Sequence, residues 1–240
     1  MLFLFRKLRR ALMQKNKVTT YLLYALGEIF LVVIGIIIAV NINNWNELRK
    51  AKIQETKTLN ELKVALNEDL VDIEFNINWH ESAKNACEII LEHFDKNYPY
   101  NDSLDYHFGA MTRFSQFLPN LSTYEAIKAN GFSIISNDSL RLRITHYYEN
   151  EITYALGYEK INRSIVPLNL ELHRKHFYMT NLVNSAAPKD FDGLRNDDEF
   201  ISYLYSTKAF RQNESQVFQE LKASCTDLIK FIDQVLETEK

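Results

Sequence analysis

The chain has 240 residues, of which 46% are hydrophobic and 25% charged, with six glycines, four prolines and two cysteines. This composition is typical of a globular protein and excludes collagenous, intrinsically disordered and disulfide-scaffold chains. Average proteins contain about 7% glycine and 5% proline, so the shortage of both favours long helices with few turns. It also leaves little glycine for a phosphate-binding loop.

The net charge of −3 is distributed unevenly along the chain. Residues 1–20 carry six lysine and arginine side chains and no acid, so the remainder is strongly acidic. An acidic body argues against a nucleic-acid groove, and we expect no nucleic-acid partner. Phe5, Leu8 and Leu12 share one helical face beside the cations of residues 1–20. This pattern is typical of an amphipathic segment on the anionic cytoplasmic face of a membrane.

The segment Tyr21–Val40, YLLYALGEIFLVVIGIIIAV, is apolar apart from Glu28 and two tyrosines. A helix of about 20 residues spans the roughly 30 Å hydrocarbon layer of a bilayer. We therefore predict a transmembrane helix over residues 21–42, with the lipid bilayer as its partner. A buried core helix is the alternative, but such helices are usually shorter and carry a polar face.

A cleaved signal peptide has the same general form as this N-terminal region. The apolar run is too long for one, however, and Asn41–Trp45 offers no small-residue cleavage site. We therefore expect an uncleaved signal anchor. Six cations precede the span and only Arg49, Lys50 and Lys52 follow it closely, so the positive-inside rule predicts a cytoplasmic N-terminus and an exported domain.

Glu28 lies about seven residues inside the apolar span, where a carboxylate costs about 1–3 kcal/mol unless it is protonated or paired. At 100° per residue, Tyr24, Gly35 and Ala39 lie within about 40° of Glu28 on the helix surface. Small residues four apart let helices approach closely in lipid. These four residues therefore predict an interface for a homo-oligomer or for another membrane protein. The alternative is a monomer in which Glu28 snorkels to the cytoplasmic surface.

Two motifs point to a known family. They are GEIFLVVIGIIIAVNINNWNELRK, within Tyr21–Lys50, and TYEAIKANGFSIISNDSLRLRITHYYE, Thr123–Glu149. Together they resemble a domain-of-unknown-function family of single-pass inner-membrane proteins found in Bacteroidota. The resemblance implies a bacterial inner-membrane location and no activity. It agrees with the predicted topology, in which the exported C-terminal domain is periplasmic.

Beyond the membrane the apolar pattern is helical. Between Leu59 and Phe94 apolar residues recur at steps of three and four, the spacing of one buried helical face. No proline or glycine lies between Gly35 and Pro99. We therefore predict a stalk over residues 43–58, continuous with the membrane helix or hinged at Asn41–Asn46, and an exported helical domain over residues 59–240.

Loops and caps divide this domain further. A loop is predicted at Asn97–Ser103, then a helix from Leu104 to about Leu118. Further signals are a capping box at Ser122 and Glu125, a stop at Gly131, an N-terminal cap at Ser136–Asp138, a kink or interruption at Pro167, a loop around Ala187–Asp192, and helices at about Asp197–Ser206 and Lys208–Glu237. No segment alternates with period two for long enough to predict a sheet, so the predicted fold is an all-α bundle.

The search for catalytic and metal motifs is mostly negative, and we expect neither cofactor nor metal. No phosphate-binding loop, dinucleotide fingerprint or nucleophile elbow is present. His80-Glu81 begins like a zinc-protease helix, but Lys84 replaces the second histidine. His173 and His176 lie one turn apart, a spacing more often seen at surfaces than in metal sites. Cys87 and Cys225 are expected to be small buried hydrophobes, with a disulfide as the alternative.

The Thr123–Tyr148 motif supplies the candidate recognition residues Tyr124, Glu125, Lys128 and Arg141. Tyrosines 147, 148, 154, 158, 203 and 205 could line a ligand pocket, but at helical spacing they are first of all core residues. The sequence favours a non-enzymatic, membrane-anchored module that acts as a scaffold, a sensor or an accessory subunit of a membrane complex. The alternative is an exported enzyme with an unrecognised active site.

Overall fold

A computed structural model describes residues 18–181 and 184–238 of the chain. It divides the chain into two compact units, Met1–Gln54 and Glu55–Lys240. Most of the amphipathic segment predicted at residues 1–20 lies outside the described residues. The boundaries predicted at residues 42/43 and 58/59 stay predictions.

The described chain is mainly helical, which confirms the predicted all-α class. In chain order its elements are α1 (Val18–Asp95), α2 (Leu104–Ala110), α3 (Ser122–Asn130), a 3₁₀ turn (Phe132–Ile134), α4 (Asp138–His146), a π-helical turn (Tyr147–Glu151), α5 (Ile152–His176), β1 (Phe177–Asn181), β2 (Ser185–Pro188), α6 (Phe191–Arg195) and α7 (Asp198–Thr238).

Helix α1 has 78 residues and includes the Asn-rich patch at Asn41–Asn46. Near its N-terminal end it contains a stretch long and apolar enough to cross a membrane, and none of that stretch is buried. Large apolar side chains from Leu22 to Ile42 are exposed, Leu23 by 71% and Phe30 by 65%. This is the pattern expected where lipid and not protein covers the side chains.

The second unit has two hydrophobic cores. In the first core, Leu62 and Leu66 of α1 pack with Tyr147, Phe218 and Leu228. In the second core, Cys87 and Phe94 of α1 pack with Phe108, Phe177 and Phe200. Both α1 and α7 contribute side chains to both cores.

The segment between α2 and α3 differs from prediction. Helix α2 ends at Ala110 and not near Leu118. The backbone N–H groups of Phe117, Leu118 and Asn120 donate to side-chain carboxylates instead of to helical carbonyl groups. These bonds replace the i→i−4 bonds that a longer helix would need. We call residues 113–121 the connecting segment.

The predicted capping box is also wrong. Helix α3 begins at Ser122 with Leu121 at the N-cap position and no side-chain cap. The Ser122 hydroxyl donates to Asn120 at 2.6 Å. Two other signals are confirmed: Gly131 follows α3 with φ of 90°, and Asn137 caps α4 by accepting from the Leu140 N–H at 2.9 Å.

The C-terminal third of the chain is less broken by turns than predicted. Helix α5 includes Pro167, so the helix is not interrupted there, because a long helix can omit one backbone hydrogen bond; the alternative of a kink stays a prediction. The two predicted C-terminal helices form one helix, α7, which contains no glycine or proline.

A small antiparallel hairpin is the one departure from the all-α prediction within the described residues. Phe177 pairs with Pro188 and Tyr178 with Ala187 where the sequence predicted a loop around Ala187–Asp192. Strands of five and four residues are too short for alternation to reveal them. Strand β2 packs against helix α2. At this contact Gly109 lies directly against the backbone of Ser185.

Candidate functional site

The four residues of the predicted membrane interface all lie on α1. The Tyr24 side chain is 50% exposed and Ala39 is also exposed. A β-carbon added at Gly35 would have no described atom within 4 Å. Glu28 is half-buried, and no described atom covers the Gly35 position; the interface itself stays a prediction.

The four candidate recognition residues have partners within the domain. The Tyr124 hydroxyl donates to Glu149 at 2.7 Å, and the Lys128 ammonium lies 3.1 Å from the same oxygen. Lys128 also lies 3.6 Å from Glu125. The hydrogen bond from Tyr124, followed by that from Lys128, lowers the pKa of the Glu149 carboxyl. These contacts connect α3 to the π-helical turn.

Arg141 is not part of this cluster. It donates to the Ile135 carbonyl at 3.1 Å and pairs with Asp138 in the first turn of α4. Within the cluster, the Tyr124 ring also stacks on the Tyr148 ring, with ring centroids 4.4 Å apart. Each of the four residues thus has a contact within its own helix or with a neighbouring element, and their role in recognition stays a prediction.

Half of the six tyrosines in the stripe are buried. Tyr147, Tyr148 and Tyr203 are buried, whereas Tyr154 and Tyr205 are 57% and 52% exposed. Burial raises the pKa of Tyr203 to about 12, so its hydroxyl is neutral.

The histidine pair and the cysteines have structural positions. His173 is buried with its Nε2 2.9 Å from the Phe108 carbonyl oxygen, and His176 lies 3.5 Å from Asp197. No group of three or more possible ligands capable of holding a metal occurs among the described residues. Cys87 lies in the second core and Cys225 in the first, both as free thiols, so the alternative of a disulfide is wrong.

A buried ionic network was not predicted from the sequence. His80 of α1 faces Glu214 of α7, with 3.1 Å between Nδ1 and Oε2. Arg211, one turn before Glu214, approaches the same oxygen at 2.7 Å. All three residues are at most 4% exposed, and the His80 ring stacks on Phe218. We call these three residues the buried network.

Burial determines the charge states in this network. Burial and, secondarily, the Arg211 charge lower the pKa of His80 to about 3. Burial also raises the pKa of Glu214 to about 7, against the opposing effect of Arg211. His80 is therefore neutral at neutral pH, and Arg211 is the cation that stabilises ionised Glu214.

Three carboxylates bind the connecting segment to the helices. Glu159 of α5 accepts from the Phe117 N–H, Asp72 of α1 accepts from Leu118 at 2.8 Å, and Asp69 accepts from Asn120 at 2.7 Å. Burial raises the pKa of Asp69 to about 6, although the bond from Asn120 lowers it.

Together with Ser115, two residues of the buried network stand in the order of groups found in a hydrolytic triad. Ser115 of the connecting segment lies with its Oγ 3.4 Å from Nε2 of His80, and His80 faces Glu214. Two features oppose catalysis. The low pKa of His80 makes it a poor proton acceptor, and Arg211 already occupies the carboxylate.

The connecting segment that contains Ser115 is bonded to two helices. The amides of Phe117 and Leu118 in the same segment are bonded to Glu159 and Asp72. The network is best explained as a structural connection between α1, α7 and the connecting segment. The buried network could not be predicted from the sequence, because its residues are far apart along the chain and form no motif.

Comparison with known proteins gives one match. The model of a family of unknown function, DUF6090, matches residues 28–165, which is more than half of the chain. The chain belongs to the DUF6090 family. The DUF6090 region includes Glu28 and all of Thr123–Glu149, and it ends before β1 and α7. No curated protein and no solved structure matches the chain.

Proposed function

We propose that this DUF6090 protein is a single-pass protein of the bacterial inner membrane. Its N-terminus lies in the cytoplasm and its helical domain lies in the periplasm. It acts without catalysis, as a scaffold, a sensor or an accessory subunit of a membrane complex, through its membrane helix and its exported domain.

The observation that carries this proposal is the exposure of apolar side chains on α1 between Leu22 and Ile42. Exposing apolar side chains to water costs about 25 cal/mol of free energy per Å² of apolar surface. Insertion of the helix into a bilayer removes this cost. The orientation follows from the six cations before the span.

Two further observations support a binding role over a catalytic one. The residues nearest to a hydrolytic arrangement are Ser115, His80 and Glu214, and Arg211 already pairs with the Glu214 carboxylate. Tyr24, Glu28, Gly35 and Ala39 share one face of the membrane helix, which suits association with a second copy or with another membrane protein.

Protease accessibility tests the topology. The full chain, carrying a C-terminal epitope, is expressed in a bacterium, and protease is added to intact spheroplasts. We expect the epitope to be removed while a cytoplasmic marker protein stays intact. Protection of the epitope until the spheroplasts are lysed would contradict the orientation.

A pull-down tests the class of function. The same tagged chain is solubilised from native membranes in a mild detergent and purified. A stoichiometric partner, or a stable homo-oligomer, is expected for a scaffold or accessory subunit. A purified monomer with hydrolase activity that depends on Ser115 would favour the enzyme alternative.

A further inference from the structure

A furrow runs along the second unit between the π-helical turn and α7. One cavity of about 390 Å³ is lined by Glu151 and Tyr154 on one wall and by Glu220 and Ser224 on the other. A second cavity of about 380 Å³ shares Glu151 and Ser224 with the first and continues toward His146. Each volume falls within the range of about 300–1,000 Å³ that is usual for ligand sites.

The first cavity is acidic and partly apolar. Its lining includes the carboxylates of Glu151 and Glu220, and Val217 and Leu221 form its buried floor. None of the described residues that line it carries a cationic side chain, whereas Arg143 lines the second cavity. The Tyr154 ring stands 57% exposed at its edge.

The Glu151 carboxylate has few partners among the described residues. One carboxylate oxygen lies 3.3 Å from Nε2 of His146, which carries charge only when protonated. The other oxygen is buried and accepts no hydrogen bond. A cation in the cavity would supply beside Glu151 the charge that His146 supplies only when it is protonated.

The π-helical turn directs some of its side chains into the core and others toward the furrow. Tyr147 and Tyr148 of the turn point into the first core, whereas Asn150 and Glu151 line the furrow. Single π-helical turns within α-helices occur frequently at functional sites.

We propose that the furrow binds an organic cation, a primary ammonium or guanidinium group on an aliphatic stem. Glu151 and Glu220 pair with the charge, the Tyr154 ring packs against the cation, and Val217 and Leu221 contact the stem. The cation is either a free amine or a lysine or arginine side chain of a partner protein. The proposal does not depend on the topology or on the membrane-helix interface.

Calorimetric titration of the full chain in detergent micelles tests the site. The probes are cadaverine, with the uncharged diol of the same chain length as its control, and a capped Ala-Lys-Ala peptide, with capped Ala-Gln-Ala as its control. We expect saturable binding of at least one cation, weakened by added salt, and none of the neutral controls.

Variants locate the site. Glu151→Gln keeps the shape and removes the charge, and we expect it to weaken binding about tenfold. Tyr154→Ala should weaken binding about threefold, whereas Tyr154→Phe keeps the ring and should not. Glu237→Gln, on the exposed end of the same α7 helix, is the matched control and should bind like the unmodified chain.

The outcomes separate the sources of the cation. Binding of cadaverine alone identifies a free amine, and binding of the peptide alone identifies a partner's side chain. The proposal is overturned if neither cation binds at concentrations up to about 10 mM. It is also overturned if Glu151→Gln, shown by circular dichroism to be folded, binds as tightly as the unmodified chain.

Discussion

Glu214 and Arg211 are both almost fully buried, so a substitution of either residue changes the environment of the other. Their closest atoms are 2.7 Å apart, and His80 approaches the same carboxylate oxygen. Removing one member of a buried ion pair leaves an uncompensated charge, whereas replacing both by apolar residues is often tolerated.

Arg211→Met should therefore lower the free energy of unfolding by about 3 kcal/mol near neutral pH. The loss of unfolding free energy should be larger at pH 8 than at pH 6. Without Arg211, burial raises the pKa of Glu214 further, so the folded state must keep Glu214 protonated, and this becomes more costly as the pH rises. Denaturant titration of the chain in detergent measures the effect. The double variant Arg211→Met/Glu214→Leu should recover most of the loss, and equal losses in both variants would contradict this reading.

Asp69 gives a second prediction about pH. Burial raises its pKa from 3.8 to about 6, so the folded state holds a proton that the unfolded state releases. The stability contributed by neutral Asp69 is therefore fully present below pH 3.8 and is lost as the pH rises through about 6.

Asp69→Asn keeps the side chain neutral at every pH and retains an acceptor for the Asn120 N–H. We expect it to stabilise the fold by about 1–2 kcal/mol at pH 7.5, with the gain falling toward zero near pH 4. Thermal unfolding at both pH values measures this. Asp227→Asn, an exposed carboxylate on α7, is the control. A gain that does not change with pH would refute the assignment to Asp69.

At the scale of elements, two glycines in helices have opposite surroundings. A β-carbon added at Gly109 of α2 would clash with the backbone of Ser185 in β2, and backbone atoms cannot easily move away. A β-carbon at Gly157 of α5 would meet no described atom within 4 Å.

Gly109→Ala should therefore destabilise the second unit by about 2 kcal/mol, because it separates α2 from the hairpin. Gly157→Ala should stabilise it by about 0.5–1 kcal/mol, because alanine has the higher helix propensity. Denaturant midpoints of the two variants provide the comparison. A stabilising Gly109→Ala would show that the hairpin does not pack on α2 in solution.

The membrane helix supplies the next prediction. If the face with Glu28 and Gly35 mediates association, Gly35→Leu blocks close approach and Glu28→Leu removes a polar contact. Crosslinking in native membranes should show weaker association for both. Val33→Leu, outside this face, is the control. A β-carbon at Gly35 would have no described atom within 4 Å, so the space beside the Gly35 backbone is open among the described residues. Unchanged crosslinking in all three variants would favour snorkelling.

Helical structure could be predicted from the sequence because its determinants are local, but the bounds of α5 and α7 could not, since both continue through predicted breaks. Helix α1 follows from its periodicity and from the absence of glycine and proline after Gly35. The connecting segment could not be predicted in this way. The Leu118 amide is bonded to a carboxylate 46 residues away, and the Asn120 amide to one 51 residues away. The tertiary structure there overrides a helix-compatible sequence.

The same contrast applies to the candidate sites. Glu28 stands out in the sequence because a carboxylate within an apolar span needs an explanation. The buried network and the furrow join residues of α7 to residues of α1 or of the π-helical turn. Each of these residues, taken singly, resembles an ordinary surface acid or base. Only the packing of α7 against the other helices brings them together.

At the scale of the whole molecule, stability depends on the two hydrophobic cores and on helices α1 and α7, which contribute to both. Among the described residues no cluster able to hold a metal contributes to either core. We therefore expect the far-ultraviolet circular dichroism of the full chain in detergent to show predominantly helix. Adding a strong chelator should change neither the spectrum nor the thermal midpoint, because burial of apolar side chains and not metal binding stabilises the fold. A zinc-finger peptide, which unfolds when its metal is removed, is the positive control for the chelator. A strand-rich spectrum would contradict the fold, and unfolding on chelation would show that a metal ion stabilises it.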